Sequence, residues 1–594
     1  MTDTRKTVLA FILIALVLIL TPRYLRWIAP AKEEAAPAGE KALTDADTLA
    51  PVPVDAPLPE PPEERETPVL KTRTAVIQPQ AQAWQEEITT IETDIYRAVV
   101  SSRGGGHLVD FELKNYRHGS GEGNVQLIAG DGVDINLRLS YINLDGDSTY
   151  LVQNFEVLEV PGTDRTYLTE GAITLAYRHT FSSGARVTKR LTFQADSYTI
   201  PVEIAWEHPE LELGINTYEI AWPGGLNPAE KKVKEDETYG KVYVYQGGEL
   251  ANQGSARKGP VKRQQLNGNT QWVALRNKYF TAAYISEANE PGIYGAISAA
   301  PVPYHEATGK NDASITRYFM AIGYDARLPV KMTLYLGPLS YDIIKDLDVD
   351  LERIMNLGFS LIRPISKLVL FTLVFFHNYI PNYGVILILF AIIVRVLTNP
   401  LTKKSAISTQ KMQLVQPKVK ALQEKYKGNP QKLNQETMAL WKSEGVNPLG
   451  GCLPILIQMP VLFALFIVFR TTIELRGQPF ILWVTDLSVP DVVYTLPFSI
   501  PLYGNGVTIL AIIMGLTMFI QQKISGAGTN PQQKPMMYMM SGMFFLIFNQ
   551  FPSGLNLYYA FSNILAIFQQ RNVRRHLKVD QTSELPAKKK PKKS

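Results

Sequence analysis

The apolar positions of this chain follow two different patterns. In the middle of the sequence, short runs with partial alternation recur between Gly, Asn and Asp residues, among them "VDINLRLSYI", "RVTKRLTFQA" and "YTIPVEIAW". This period of two is typical of half-buried strands. After residue 380 the apolar runs become long and poor in charge, as expected of membrane-spanning helices, which need about 20 apolar residues. The pattern predicts a multi-domain membrane protein in which a large β-sandwich precedes an α-helical transmembrane bundle.

Six membrane spans are predicted. The first is the run Val8–Leu20, which is short enough to be a cleaved signal peptide instead. Arg23 and Arg26 follow it directly and no small-x-small site closes it, which favours an uncleaved anchor. The other five predicted spans lie at about 383–401, 452–473, 506–524, 535–551 and 555–570.

The hydrophobic segment 357–380 is predicted to lie in the membrane interface and not to cross the bilayer. Arg363, Pro364 and Lys367 interrupt it, and its uncharged part, Leu368–Phe376, is too short to span. Its apolar residues follow helical spacing, which indicates an amphipathic helix.

The charge distribution supports this topology. The net charge is +5, yet residues 29–356 carry 31 Lys and Arg against 46 Asp and Glu. Loop 402–449 holds nine Lys and three Glu, and the chain ends in "PAKKKPKKS". Because basic loops stay on the cytoplasmic side, both termini and this loop are predicted to be cytoplasmic and the acidic middle domain to be outside. If 357–380 were a span, the Lys-rich loop would be outside.

These patterns divide the chain into segments. The predicted segments are an N-terminal anchor (1–28), a Pro/Ala-rich linker (29–82), a β-sandwich (83–350), an interfacial amphipathic helix (351–380), a five-span core (381–571) and a basic cytoplasmic tail (572–594).

Loop 402–449 is predicted to be a helical hairpin. Its first apolar stripe comprises Met412, Val415, Val419, Leu422 and Tyr426. "KGNPQ" forms the turn, and Leu433, Met438 and Trp441 continue the apolar face. Pro417 is expected to kink or restart the first helix.

The lysines of this hairpin allow two interpretations. They are either a solvated face that maintains the topology or a surface that attracts anionic lipids or ribosomal RNA. The residues in question are Lys411, Lys418, Lys420, Lys425 and Lys427. The basic tail allows the same two interpretations.

A permanent cation, Arg395, lies in the apolar run "LFAIIVRVLTNPL". An arginine at the centre of a span costs about 2.5–3.5 kcal/mol, although Arg395 is near enough to the inner end to extend to the headgroups. The other predicted spans contain polar residues, namely Gln458, Asn549, Tyr559 and Asn563, but no Asp or Glu. A cation without a carboxylate partner needs water, so these residues together predict a wet cavity open to the inside.

No known catalytic motif was found. The sequence contains no G-x-S-x-G, H-E-x-x-H or phosphate-loop motif, and its histidines lack metal-ligand spacing. No catalytic residue, metal site or cofactor is therefore predicted, and the function is not that of an enzyme. A single cysteine excludes an intramolecular disulfide. A solute transporter or channel with an outside binding domain remains an alternative, although it usually carries intramembrane acids or histidines. A passive scaffold for the outside domain is a further alternative.

Several long segments carry a family resemblance. "VRVLTNPLT", "KMQLVQPKVKALQEKYKGN", "VNPLGGCLPILIQMPVLFALF", "ELRGQPFILWVTDLS" and "FPSGLNLYYAFSN" resemble hallmark segments of the YidC-type membrane protein insertases, in the long form found in Gram-negative bacteria. The similarity extends over essentially the whole chain.

The resemblance implies a fold and a function. The outside domain would be a periplasmic β-supersandwich, and the five core spans would form a hydrophilic groove open to the cytoplasm and to lipid. Arg395 matches the groove arginine of the family, while Ala391 replaces a polar threonine of some relatives. The implied location is the bacterial inner membrane. The implied partners are nascent membrane proteins, the Sec translocon and the ribosome.

Overall fold

The fold is taken from a computed structural model of the chain. It describes residues 84–128, 135–160, 165–256, 259–304, 313–446, 453–525 and 534–583. The predicted N-terminal anchor and nearly all of the linker lie outside these residues.

The middle of the chain forms strands, as its alternation predicts. In Thr199–Glu207, for example, every second side chain is buried. The strands are β1 (Ile88–Glu92), β2 (Tyr96–Ser101), β3 (His107–Arg117), β4 (Asn124–Ile128), β5 (Arg138–Asn143), β6 (Ser148–Tyr150), β7 (Glu156–Glu159), β8 (Arg165–Tyr167), β9 (Ala172–Thr180), β10 (Arg186–Gln194), β11 (Thr199–Glu207), β12 (Leu213–Trp222), β13 (Lys241–Gln246), β14 (Glu249–Gln253), β15 (Val261–Arg276), β16 (Phe280–Ser286), β17 (Gly292–Tyr304), β18 (Ala313–Asp325) and β19 (Val330–Pro338).

These strands form two sheets that share one apolar core. Within the described residues the smaller sheet has the order β4-β3-β2-β1-β8. The larger has the order β6-β5-β12-β18-β17-β15-β16-β19-β11-β10-β9-β7, with β13 and β14 attached beside β15. Tyr96 of the smaller sheet donates a hydrogen bond to the carbonyl of Gln194 in the larger one, at 2.9 Å. Residues of both sheets belong to the same buried cluster. The predicted large β-sandwich is confirmed.

One lysine of this sandwich, Lys189 on β10, is completely buried. Its Nζ donates to the carbonyls of Leu137 (2.8 Å) and Gly104 (3.3 Å). Burial lowers the pKa of Lys189 to about 7, because the charged form loses its hydration.

This buried amine gives stability a predicted pH dependence. Between pH about 7 and the ordinary value of 10.5, the unfolded chain binds a proton that the folded chain does not, so stability rises with pH in that window. Each unit of pH there is worth at most about 1.4 kcal/mol. We expect Lys189→Met to flatten the rise, measured by tryptophan-detected unfolding of the full chain at pH 7 and pH 9. The exposed Lys331→Met is the control, and an unchanged slope for Lys189→Met would contradict this assignment.

The helices lie mostly in the C-terminal part. They are α1 (Val233–Tyr239), α2 (Tyr341–Lys345), α3 (Arg363–His377), α4 (Tyr383–Lys425), α5 (Pro430–Ser443), α6 (Leu453–Thr471), α7 (Ile509–Ser525), α8 (Lys534–Phe548) and α9 (Ser553–Ser583), and a hairpin of β20 (Val492–Ile500) and β21 (Gly504–Thr508) precedes α7. Side chains of α3, α4 and α6–α9 share a second apolar core, separate from that of the sandwich.

The helix bounds correct several predictions. The first helix of the predicted hairpin is not a separate helix, because α4 runs without interruption from Tyr383 to Lys425 through Pro400 and Pro417. Of the two outcomes predicted for Pro417, a restart of the helix is therefore wrong and a kink stays a prediction. The helix predicted to lie in the membrane interface spans Arg363–His377, which is shorter than 351–380. Helix α9 extends past the predicted tail boundary at residue 572. The hairpin β20–β21 was not predicted.

Among the described helices, one segment is long and apolar enough by itself to cross a membrane. This segment is Tyr383–Lys403, and Gln458–Thr471 and Ile509–Ile524 are shorter apolar stretches. The count of six spans stays a prediction.

The two parts of the chain are joined by the segment that follows α6. Ile473 is buried in the core of the sandwich. Arg476 forms an ion pair with Glu230 at 2.6 Å, with both side chains about nine-tenths buried, and donates to the carbonyl of Ala229 at 3.2 Å. Glu474 accepts from the backbone N–H of Tyr341 at 3.3 Å. A helix of the second core is thus fixed to the base of the sandwich.

Candidate functional site

Arg395 lies on the edge of the packed face of α4. One turn before it, Ala391 is only 1% exposed, whereas Val396 and Leu397 are 66% and 71% exposed. The Nε of Arg395 is buried and has no hydrogen-bond partner among the described residues. Such a buried donor requires water or an incoming acceptor.

Helices α4 and α9 run parallel to each other, and Tyr558 of α9 lies at the level of Phe390. Their ring centroids are 6.0 Å apart. Gln458 of α6 donates to the fully buried Tyr558 hydroxyl at 3.3 Å, and the ring of Tyr559 stands edge-on to that of Tyr558 at 5.2 Å. The contact brings three helices together around polar atoms next to Arg395.

A fourth helix contributes a threonine. Asn563 of α9 donates to Thr517 of α7 at 3.4 Å. Closer to the C-terminal end of α9, Gln569 donates to Thr402 of α4 at 2.9 Å and also to Asn399. Polar contacts from α9 to three neighbouring helices therefore recur along its length. We use the term polar cluster for Arg395, Gln458, Thr517, Tyr558, Tyr559 and Asn563.

The structure places Asn549 apart from this cluster. Its side chain accepts from Thr508 N and Oγ1 (3.2 and 2.7 Å) and donates to the carbonyls of Tyr503 (2.9 Å) and Gly506 (2.6 Å). All four hydrogen-bonding positions of the amide are occupied. Asn549 fastens the hairpin β20–β21 to the end of α8 and has no group left to offer to a ligand.

The hairpin of α5 and the C-terminal half of α4 has its own small core. Val415, Val419 and Val446 are buried there, with Leu440 and Trp441 packed against them. The predicted contribution of Met438 is wrong, since this side chain is 66% exposed.

The outer surface of the hairpin is basic. Lys411, Lys418, Lys420, Lys425 and Lys427 are all exposed. Lys418 forms an ion pair with Glu444, and Lys425 lies over the ring of Tyr426 at 5.4 Å. The structure thus leaves these lysines accessible, with one of them neutralised.

Sequence reasoning did not identify Thr517, Thr402 or Gln569. Thr402 continues the inward face of α4 below Arg395 at steps of three and four, and Gln569 follows Asn563 on α9. That spacing is a usable signal, but a lone threonine in an apolar helix usually bonds its own backbone. Thr398 and Thr402 both do so, since each hydroxyl donates to a carbonyl one turn earlier in α4. The sequence alone therefore does not distinguish Thr402 from Thr398.

Comparison with known proteins gives consistent matches. A family profile described as "60Kd inner membrane protein" matches residues 375–581, and one described as "YidC periplasmic domain" matches residues 88–370. The chain is 36% identical over 501 residues to "Membrane protein insertase YidC" of Chloroherpeton thalassium, covering 82% of each chain. It is 33% identical to the protein of the same name from Prosthecochloris aestuarii, covering 98% of this chain and 96% of that one. A solved structure titled "Active YidC insertase crystal structure with the first transmembrane domain resolved" aligns over 81% of this chain and 94% of its own, at 17% identity and a TM-score of 0.34.

Proposed function

The chain belongs to the YidC family of membrane protein insertases, and on that premise we propose that its polar cluster is the site at which a nascent substrate enters the membrane. The chain inserts membrane proteins, and its sandwich is the periplasmic domain of this family. The observation that carries the proposal is the buried Nε of Arg395, which lacks a hydrogen-bond partner among the described residues. The neighbouring helices carry further polar groups that bond to one another, Gln458 to Tyr558 and Asn563 to Thr517.

The proposed topology follows the charge asymmetry. Six spans place both termini and the hairpin in the cytoplasm and the sandwich in the periplasm. The parallel course of α4 and α9 supports this arrangement, because both helices must then run from the outer to the inner face. In this proposal residues 1–28 are the N-terminal anchor, which is the first of the six spans.

In the proposed mechanism, the polar outer segment of a substrate enters from the cytoplasmic side. Arg395 attracts an acidic residue of that segment, and Gln458, Tyr559 and Asn563 offer hydrogen bonds. These groups replace part of the water that the segment loses, which lowers the cost of crossing. The apolar segment of the substrate then passes between α6 and α8 into lipid, driven by burial worth about 25 cal/mol per Å². The step requires no nucleotide.

A reconstituted system separates this function from the alternative of a solute transporter or channel. The full chain is placed in liposomes, and a small single-span protein is translated in their presence. We expect protease-protected insertion and no flux of small solutes. Solute flux without insertion would support the transporter.

We propose that the basic hairpin surface recruits anionic partners, namely the ribosome that carries the substrate and the headgroups of anionic lipids. The tail contributes in the same way, and the Sec translocon is the proposed partner for larger substrates. These contacts would be made to phosphates, and they would therefore weaken with salt.

Removing hairpin charge tests the recruitment. Each lysine near an anionic surface contributes about 1 kcal/mol, so Lys420→Gln/Lys425→Gln/Lys427→Gln should weaken binding to ribosomes or anionic liposomes by about tenfold or more at moderate salt. The matched control is Lys231→Gln/Lys262→Gln/Lys331→Gln, which removes three exposed lysines from the sandwich. Equal losses in both triple variants would reduce the hairpin lysines to a solvated face.

A further inference from the structure

One face of α3 carries a line of exposed side chains that changes character along the helix. At successive steps of four residues it presents Arg363, Lys367, Phe371, Phe375 and, just past the helix end, Tyr379. Phe371 is 67%, Phe375 45% and Tyr379 73% exposed. The opposite face, with Val369, Leu370 and Leu373, is buried in the helical core.

The aromatic part of this line is a continuous apolar surface. The rings of Phe371 and Phe375 are stacked with centroids 6.1 Å apart, and those of Phe375 and Tyr379 are 5.5 Å apart. Leu368, beside them, is 63% exposed. Contiguous apolar surface of this kind marks contact with another apolar phase.

The cationic end of the line opens onto a cavity of about 280 Å³. The cavity lies between α3 and the base of the sandwich, and Asp350, Glu352, Arg353, Met355, Leu357, Arg363 and Lys367 line it. Met355 and Leu357 are buried and provide an apolar floor.

The charges of this cavity leave a net positive charge of one. Asp350 is already engaged, since it forms an ion pair with Arg353 at 2.8 Å and accepts from the Tyr245 hydroxyl at 2.8 Å. Within the described residues, Arg363 and Lys367 have no carboxylate partner. The ammonium of Lys367 lies over the ring of Tyr341 at 5.4 Å, which holds it at the cavity without neutralising it.

We infer that α3 and this cavity form a binding site for one anionic phospholipid of the outer leaflet. Arg363 and Lys367 bind the phosphodiester, and an acyl chain lies along Phe371 and Phe375. Two cations within reach of one phosphate form charge-assisted hydrogen bonds, and the apolar line continues from the same two residues. The net charge favours an anionic headgroup over a zwitterionic one. The inference rests on the proposed topology, which places the sandwich outside, and on the interfacial position predicted for α3 from its sequence.

The test uses the full chain in mixed micelles of a non-ionic detergent and phosphatidylcholine, titrated with phosphatidylglycerol, with retained lipid counted by native mass spectrometry. We expect one phosphatidylglycerol to be retained, and Arg363→Gln/Lys367→Gln to weaken its retention about tenfold or more. The control Arg327→Gln/Lys331→Gln removes two exposed cations of the sandwich and should leave retention unchanged. Equal retention by wild type and Arg363→Gln/Lys367→Gln would overturn the site. Displacement of the lipid by millimolar inorganic phosphate would also overturn it, since the site would then bind a free anion.

A second measurement separates this inference from the position of α3. In a Cys452→Ser background, Phe371→Cys should be shielded from a water-soluble maleimide in liposomes. Labelling at the rate of a cysteine at the exposed position 328 of the sandwich would contradict the interfacial position and the lipid site together. Shielding without lipid selectivity would contradict the lipid site alone.

Discussion

Arg395→Ala is expected to slow the insertion of a substrate with an acidic outer segment by about tenfold or more. A hydrogen bond to a charged group contributes about 1.5–3 kcal/mol, and 1.4 kcal/mol corresponds to a factor of ten. The buried Nε of Arg395 lacks a hydrogen-bond partner among the described residues, so the substrate's carboxylate would be the acceptor. Arg395→Lys keeps the charge and should retain an intermediate rate. Protease protection of a small single-span substrate gives the rate.

Two controls make this result specific. A substrate whose outer acidic residues are replaced by Asn or Gln should be nearly insensitive to Arg395→Ala. Arg470→Ala removes another arginine of the helical core, stacked on Phe466 at 5.1 Å, and should leave the rate unchanged. Full activity of Arg395→Ala on the acidic substrate would reduce Arg395 to a side chain that extends to the headgroups.

Arg476→Met is expected to destabilise the junction between the sandwich and the helical core by about 3–5 kcal/mol, the typical cost of removing one partner from a buried ion pair. Glu230 would remain buried without its counter-ion, next to a second acid. Asp236 is also buried there, and burial together with the charge of Glu230 raises the pKa of Asp236 to about 6. The lost ion pair also removes the guanidinium from the rings of Tyr279 and Phe280, each 5.6 Å away. Chemical unfolding of the full chain in detergent measures the loss.

The double variant Arg476→Met/Glu230→Gln provides the matched comparison. Because it removes both charges, most of the stability should return. A loss below about 1 kcal/mol for Arg476→Met, or a double variant less stable than the single one, would contradict the role assigned to the pair.

Arg395 and Asn549 were both selected from the sequence because each is a polar residue in an apolar run. In the structure the Nε of Arg395 has no hydrogen-bond partner among the described residues, whereas the amide of Asn549 has four. Both are polar residues in apolar runs, and the cost of burial predicts only that each must find a partner. Asn549 finds its partners in the backbone of the preceding hairpin, whose existence was not predicted because "LPFSIPLYG" contains two prolines that are typical of a loop. The three-dimensional neighbours of a polar residue cannot be obtained from its own segment.

The continuous helix α4 shows a second limit of local rules. A proline inside a helix costs about 3 kcal/mol, which favoured a break at Pro417. The apolar stripe that contains Val415 and Val419 packs on α5 and stabilises the helix on both sides of that residue. The stripe itself was predictable from its period, and so were the alternating strands of the sandwich, because burial sets both patterns directly. The sequence did not predict that this packing would outweigh the local cost of Pro417.

Site-specific crosslinking of a stalled nascent chain tests the proposed entry site most directly. A photoreactive residue is placed at Gln458, Asn563 or Leu397 of the full chain, and the substrate is stalled with its polar segment partly inserted. Gln458 and Asn563 belong to the polar cluster, whereas Leu397 is 71% exposed on the outer side of α4. The proposal predicts crosslinks from the polar segment to positions 458 and 563 and not to position 397. Equal crosslinking at all three positions, or crosslinking at position 397 alone, would contradict it.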